Sequence, residues 1–168
     1  MRRASALALA LAIAVAMGGC GSSGGGRSSA PKIGSLPADA VPSKVLDLTV
    51  AQEDVHDALS QVTRTYLDAT SIYSFRSADL LQATLQLSRF LASARYQSTK
   101  FQQTLVAQIG STSPTQVRVG DRTVYLTAGN QQHIAVWFRG RYMFVLATRE
   151  DFSQPRTLLR DLLQVQPA

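Results

Sequence analysis

The chain has 168 residues, of which 45% are hydrophobic and 17% are charged. That length suits one modest core and is too short for two full-sized domains. The formal net charge of +6 includes Arg2 and Arg3, which precede an uncharged apolar run over residues 4–17. Because this run is separate from any folded core, the hydrophobic fraction overstates what the core contains.

Two arginines followed by this apolar run are typical of a signal peptide, since a spanning helix needs roughly 20 apolar residues. Met17-Gly18-Gly19-Cys20 follows directly. It resembles the lipobox of bacterial lipoproteins, in which small residues precede a cysteine that is lipidated and becomes the mature N-terminus. The resemblance implies that residues 1–19 are removed and that Cys20 carries the lipid. It also implies export and anchoring to the outer face of the cell membrane.

Cys20 is the only cysteine in the chain, so an exported form has no internal disulfide. Lipidation gives that cysteine a purpose. The alternatives are an ordinary secretory signal cut after Ala14-Val15-Ala16, which leaves Cys20 as a free thiol, and an uncleaved apolar anchor.

Residues 20–43 are predicted to form the lipidated start and a flexible tether. Residues 21–29 are mostly glycine and serine, a composition that does not bury enough surface to order itself. Pro31, Pro37 and Pro42 oppose helix formation in the rest of the segment. The globular domain is therefore expected to span residues 44–168.

Charge is distributed unevenly along this domain. Residues 31–70 carry three basic and six acidic side chains, whereas residues 111–149 carry five arginines and a single acid, Asp121. A basic region on a tethered protein favours contact with anionic lipid head groups or acidic envelope polymers. The simpler interpretation is that these arginines solvate hairpin turns. Export makes nucleic acid a poor partner.

The first half of the domain is predicted to mix helices and strands. Residues 51–62 have apolar spacing typical of a short helix. Residues 71–75 are β-prone, 76–79 suit a turn, and 81–88 alternate between apolar and polar side chains, as a half-buried strand does. Residues 94–109 then have the spacing of a second helix.

The second half is predicted to be an antiparallel meander. Residues 115–149 contain four β-prone runs, separated by Gly120-Asp121, Gly129-Asn130 and Arg139-Gly140. A final helix over 154–165 follows.

Asp151 or Ser153 is the expected N-cap of this final helix. The predicted class is therefore α+β, an antiparallel meander packed on one face by two or three helices.

Two-residue turns at Gly120-Asp121 and Arg139-Gly140 determine which residues share a face, for example Val117 and Val124. If residues 129–131 form a three-residue loop between the hairpins, one face is a continuous apolar floor for the helices. The other face then collects aromatic and basic side chains, which we interpret as a candidate binding surface: Arg118, Tyr125, Trp137, Arg139, Tyr142 and Phe144. The alternative is that the N-terminal helix or the first hairpin covers this face and makes it a second core.

No motif for nucleophilic, phosphate-binding or dinucleotide chemistry occurs, and neither His56 nor His133 has partners at metal-ligand spacing. We therefore expect no enzyme activity, no metal and no cofactor. The leading hypothesis is a non-enzymatic envelope lipoprotein that binds an envelope protein or an amphiphilic ligand.

The alternative hypothesis is a carrier of lipid or another apolar molecule. Its cavity, between the sheet and the helices, would be lined by Leu81, Leu85, Phe101, Leu105, Val136 and Phe138.

Overall fold

The protein is built on one sheet of eight strands, and the computed structural model describes residues 34–53, 66–92 and 94–166. The strands are β1 Lys44–Val45, β2 Leu48–Glu53, β3 Leu67–Ser77, β4 Leu80–Phe90, β5 Thr115–Val119, β6 Arg122–Gly129, β7 Gln132–Arg139 and β8 Tyr142–Arg149. The helices are α1 Thr99–Val106 and α2 Pro155–Leu162, with a 3₁₀ turn over Ala38–Ala40. The predicted antiparallel sheet is confirmed, and it dominates the fold.

Two meanders form this sheet, in the order β1-β2-β3-β4-β8-β7-β6-β5. Each meander pairs consecutive strands, and the pairing of β4 with β8 joins the two, with Leu85 opposite Leu146. The alternation over 81–88 lies in β4 as predicted, where Leu85 and Leu87 are buried. The four strands predicted within 115–149 are confirmed as β5 to β8.

The turn between β6 and β7 has two residues, Asn130 and Gln131, so the predicted three-residue loop is wrong. Both residues adopt left-handed backbone angles, with φ of 53° and 59°, which is the geometry of a tight hairpin turn. Gly129 therefore belongs to β6 and pairs with Gln132. Glycine is the usual residue at such angles, so the sequence predicts a turn at Gly129-Asn130 but places it one residue too early.

This turn changes which residues share a face. Within the hairpin of β5 and β6, the predicted pairing of Val117 with Val124 is confirmed. Across the next turn, however, Val124 lies opposite Trp137, and Tyr125 lies opposite Val136. Each side of the sheet thus receives a mixture of the two predicted faces. Both sides are apolar enough to need a cover.

Two cores result, one on each side of the sheet. What we call the α2 face carries a core that includes Tyr73, Phe75, Leu85, Leu87, Val124, Trp137, Phe144, Leu146, Leu158 and Leu162. What we call the α1 face carries a core that includes Leu67, Phe90, Val106, Tyr125, Ile134, Val136, Met143 and Val145. The two described helices therefore lie on opposite faces, and the prediction that helices pack on one face only is wrong.

The folded domain begins before residue 44. Gly34 forms a parallel bridge with Ala69, and its N–H donates to the carbonyl of Asp68 at 3.0 Å. Leu36 and Val41 are buried in the α2-face core. Residues 34–43 are thus part of the domain and not of the tether. Their prolines prevent a helix, but the apolar side chains beside those prolines pack against the sheet.

Three local predictions about helices are also corrected. Residues 51–53 continue β2 instead of starting a helix, and the remainder of the predicted helix over 51–62 lies outside the described residues. The helix predicted over 94–109 is shorter, since α1 begins after Ser98, whose hydroxyl accepts from the Phe101 N–H. The N-cap of α2 is Gln154, with Pro155 as the first helical residue.

We expect that Phe144→Ala destabilises the protein by about 3–5 kcal/mol, as large-to-small changes in cores do. The Phe144 ring is fully buried and stacks on Trp137, with ring centroids 4.8 Å apart. Urea unfolding followed by circular dichroism measures the loss. Leu80→Ala is the control, because Leu80 is 51% exposed and its loss should cost less than about 0.5 kcal/mol. Equal effects would contradict the assignment of Phe144 to a core.

Tyr73 should make the attachment of residues 34–43 sensitive to alkali. Its hydroxyl donates to the Pro37 carbonyl at 3.1 Å. Burial raises the pKa of this phenol, opposed by a hydrogen bond with Ser71 and reinforced by the charge of Asp39. The neutral phenol therefore contributes stability that is present below about pH 10, the pKa of unfolded tyrosine, and is lost as pH rises through the higher folded pKa.

Tyr73→Phe is expected to lower the free energy of unfolding at neutral pH by about 1 kcal/mol, the typical net value of one hydrogen bond. It should also flatten the decline of stability above about pH 10. Unfolding curves of both proteins across the alkaline range test this, and an unchanged slope would argue against it.

Candidate functional site

The six residues of the predicted binding surface do not share one face. Trp137, Arg139, Tyr142 and Phe144 belong to the α2 face, whereas Arg118 and Tyr125 belong to the α1 face. Trp137 is 1% exposed, Phe144 is fully buried and Tyr125 packs edge-to-face on Phe138. The prediction of an exposed aromatic face is therefore wrong, because α2, α1 and residues 34–43 cover these rings as cores.

The predicted lining of a ligand cavity is likewise divided by the sheet. Leu85 lies in the α2-face core, while Val136 lies in the α1-face core with Phe101, Leu105 and Phe138 packed against it. Leu81 is half-buried on β4. These side chains fill two separate cores and do not surround one space.

Of the two histidines and the cysteine, the structure describes His133 alone. His133 is exposed at the start of β7, and its carbonyl accepts from the Thr148 hydroxyl at 3.4 Å. His56 and Cys20 lie outside the described residues. Within the part of the chain that the structure describes, no group of three or more His, Cys, Asp or Glu side chains is placed to hold a metal ion. None of the helices in that part is long and apolar enough to cross a bilayer.

The feature that stands out is a concentration of arginines at one end of the sheet. At this end β3, β6 and β8 begin and β4, β5 and β7 end. We call it the arginine end and define it by Arg89, Arg118, Arg122, Arg139 and Arg141, together with the acids Asp68 and Asp121. In the strand ends and tight turns that the structure describes here, five cations therefore lie with two anions.

Asp68 holds two of these arginines. A shift in register between Leu67 and Ala69 marks its position at the start of β3. Its carboxylate accepts from Arg89 Nε at 2.6 Å and from Arg141 Nη2 at 2.9 Å. Since one carboxylate faces two guanidinium groups, this cluster keeps a positive charge.

Arg141 also binds backbone at the same point. Its guanidinium donates to the Phe90 carbonyl through Nε at 3.0 Å and through Nη2 at 2.6 Å. The Phe90 N–H in turn donates to the Arg141 carbonyl at 2.7 Å. These bonds connect the end of β4 to the turn before β8 and fix the position of the guanidinium.

The surroundings of Arg89 favour its charged form. A hydrogen bond from Arg89 to Asp68 raises the pKa of the guanidinium, partly offset by desolvation, and a hydrogen bond with Tyr142 raises it further. Tyr142 lies directly opposite Arg89 on β8 and opposite Arg139 on β7. The row Arg89, Tyr142, Arg139 thus crosses three adjacent strands on the α2 face.

The other three arginines are held by lighter contacts. Arg139 Nη1 donates to the Val165 carbonyl after α2 at 2.9 Å. Arg118 Nε donates to the Gly120 carbonyl at 3.3 Å, and Arg122 Nε lies 3.5 Å from an Asp121 carboxylate that is 80% exposed. Arg118 and Arg122 therefore flank one turn, where Arg118 is exposed and Arg122 is half-buried.

The opposite end of the sheet has a different charge balance. Its strand ends and turns carry Asp47, Asp79, Glu150 and Asp151 together with Lys44, Arg76 and Arg149, and Arg156 follows at the start of α2. Arg149 lies here, 2.6 Å from Asp151, and this pairing lowers the pKa of the Asp151 carboxyl. Four of the five arginines within residues 111–149 are thus gathered at the arginine end and the fifth is neutralised at the other.

Sequence reasoning recorded the excess of arginine but missed its geometry. Alternate turns of an antiparallel meander lie at the same end of the sheet. The β5–β6 and β7–β8 turns therefore place Arg122 and Arg141 at one end. That signal was available from the predicted strands. The contribution of Arg89 and Asp68 was not, because it depends on the pairing of β4 with β8.

No protein-family model, curated protein or solved structure matches this chain.

Asp68→Asn should destabilise the domain by about 1–2 kcal/mol, because it removes a charge that two partly buried guanidinium groups share. Urea unfolding measures the change. Asp121→Asn is the matched control at the same end of the sheet, and its exposed contact with Arg122 should contribute nothing measurable. An Asp68→Asn effect no larger than that of the control would show that the cluster does not hold the strands together.

Proposed function

We propose that this protein is a bacterial cell-envelope lipoprotein, anchored to the outer face of the cell membrane by lipid on Cys20. Its folded domain acts as a non-enzymatic binding module and uses the arginine end to bind an anionic partner at the membrane. The observation that carries the proposal is that the chain enters the fold beside the arginine end.

The direction of residues 34–36 supports this placement. Because Gly34 pairs in parallel with Ala69 on β3, residues 34–36 run in the direction of β3, and the described segment begins at the arginine end. The Asp68 carbonyl accepts from Gly34, while the Asp68 carboxylate accepts from Arg89 and Arg141. Asp68 thus contacts both the start of the described fold and the arginine cluster.

The length of the preceding segment limits how far the domain moves from an anchor at Cys20. Residues 21–33 separate Cys20 from Gly34, and a fully extended stretch of that length spans at most about 50 Å. A lipid on Cys20 would therefore hold Gly34, and with it the arginine end, within about 50 Å of the membrane.

The chemistry of the arginine end suits binding better than catalysis. Arginine stays protonated and presents a planar fork of N–H donors that matches phosphate and carboxylate groups. A domain that gathers such groups at a solvent-exposed end is equipped to hold an anion in a fixed orientation.

The anchor is tested by Cys20→Ser. We expect this variant to lose incorporation of labelled palmitate and to move from the membrane fraction to the soluble fraction of the expressing bacterium, since a protein-borne lipid is the proposed attachment. Ser22→Ala is the matched control and should retain both properties. Palmitate incorporation that survives in Cys20→Ser would refute the assignment of Cys20 as the lipidated residue.

A further inference from the structure

We propose that the partner of the arginine end is the membrane surface itself, and that the domain stands end-on upon anionic phospholipid head groups. This inference rests on the proposed function for its setting, but the surface is tested below without any lipid on the protein. It identifies the anionic partner as head-group phosphate.

Charge complementarity is the first argument. Among the strand ends and tight turns that the structure describes, the arginine end carries the acids Asp68 and Asp121 and the cations Arg89, Arg118, Arg122, Arg139 and Arg141. An anionic membrane attracts basic groups near its surface, and each such group changes the partition coefficient about fivefold. The attraction extends over roughly one Debye length, about 8 Å at physiological salt, so only groups at this end of an upright sheet would contribute.

The two ends of the sheet also differ in net charge, which favours one orientation. At the opposite end the acids Asp47, Asp79, Glu150 and Asp151 balance the four cations Lys44, Arg76, Arg149 and Arg156. An anionic surface attracts the arginine end more strongly than this balanced end, so the domain would be turned as well as drawn to the bilayer.

Donors at the arginine end are suited to phosphate. The described contacts of Arg118 and Arg122 with their turn engage Nε, whereas a guanidinium carries five N–H donors. Arginine binds phosphate through two parallel hydrogen bonds. Tyr66, which is 37% exposed and precedes β3 at this end, is the kind of amphipathic side chain that lies at head-group level.

The experiment uses the chain from residue 20 onward with Cys20→Ser, because residues 1–19 are apolar enough to bind vesicles unaided. All strands, helices and core contacts of the described fold lie within residues 34–166 and are retained. Cosedimentation with vesicles of phosphatidylglycerol and phosphatidylcholine, and with vesicles of phosphatidylcholine alone, gives the partition coefficients.

Binding should require phosphatidylglycerol and weaken as salt is raised. Arg118→Gln with Arg122→Gln should lower the partition coefficient about 25-fold, at about fivefold per arginine. The matched control is Arg76→Gln with Arg149→Gln, which removes the same charge from the opposite end and should change it less than about twofold. Equal losses in the two double variants, or equal binding to both kinds of vesicle, would overturn the proposal.

A second measurement tests orientation without removing an arginine. In the Cys20→Ser chain, a polarity-sensitive fluorophore is attached to Asp121→Cys at the arginine end or to Glu150→Cys at the opposite end, both of which are exposed positions. Addition of phosphatidylglycerol vesicles should shift the emission of the first label to shorter wavelength and leave the second unchanged. Equal shifts, or none, would contradict end-on docking.

The outcomes separate this inference from the anchor. Vesicle binding with the expected variant pattern supports the inference even if Cys20→Ser leaves palmitate incorporation intact in cells. Loss of palmitate in Cys20→Ser together with no binding to phosphatidylglycerol vesicles would leave the anchor standing and overturn the docking surface.

Discussion

The two left-handed residues at Asn130 and Gln131 determine the side of the sheet on which every residue of β5 and β6 lies. A strand has a side-chain period of two, so a turn with one more residue would exchange the two sides of that hairpin relative to β7 and β8. With two residues, Val124 joins Trp137 and Tyr125 joins Val136. Each face becomes apolar, and each needs its own cover.

The two covers come from different parts of the chain. On the α2 face, Leu36 and Val41 belong to the same core as Leu158 and Leu162, so both ends of the described fold contribute to it. On the α1 face, Val106 and Phe101 pack beside Phe90. Since both covers are needed to keep water from a single sheet, neither helix is an accessory to the fold.

The sequence was informative wherever the pattern was local. Alternation located β4, and the turn at Gly120-Asp121 predicted the pairing of Val117 with Val124 correctly. It was misleading where a residue adopts an unusual backbone conformation, as Gln131 does at positive φ. It was also misleading where prolines made a buried segment resemble a tether. The positions of Leu36 and Asp68 depend on contacts between distant segments, which no local pattern encodes.

The candidate site likewise has one part that local sequence patterns reveal and one part that depends on contacts between distant segments. The arginine excess of the second half was visible in the composition, and its turns were predicted from glycine positions. The docking of that meander against the first one supplies Arg89 and Asp68, through β4. The site is therefore a property of the assembled sheet, and the part of it that sequence reveals is the part contributed by one meander.

The central pairing of β4 with β8 has a consequence for how this chain reaches its final state. Partners such as Ala83 and Thr148 are far apart in the chain, whereas every other pair of neighbouring strands is consecutive in sequence. Loop closure makes such distant pairing slow compared with the formation of a hairpin. The first four strands alone hold Leu85 and Phe90 without the residues of β7 and β8 that bury them. Neither core closes until β8 has paired, so the apolar side chains of β3 and β4 stay incompletely buried until the C-terminal part of the chain has been added to the sheet.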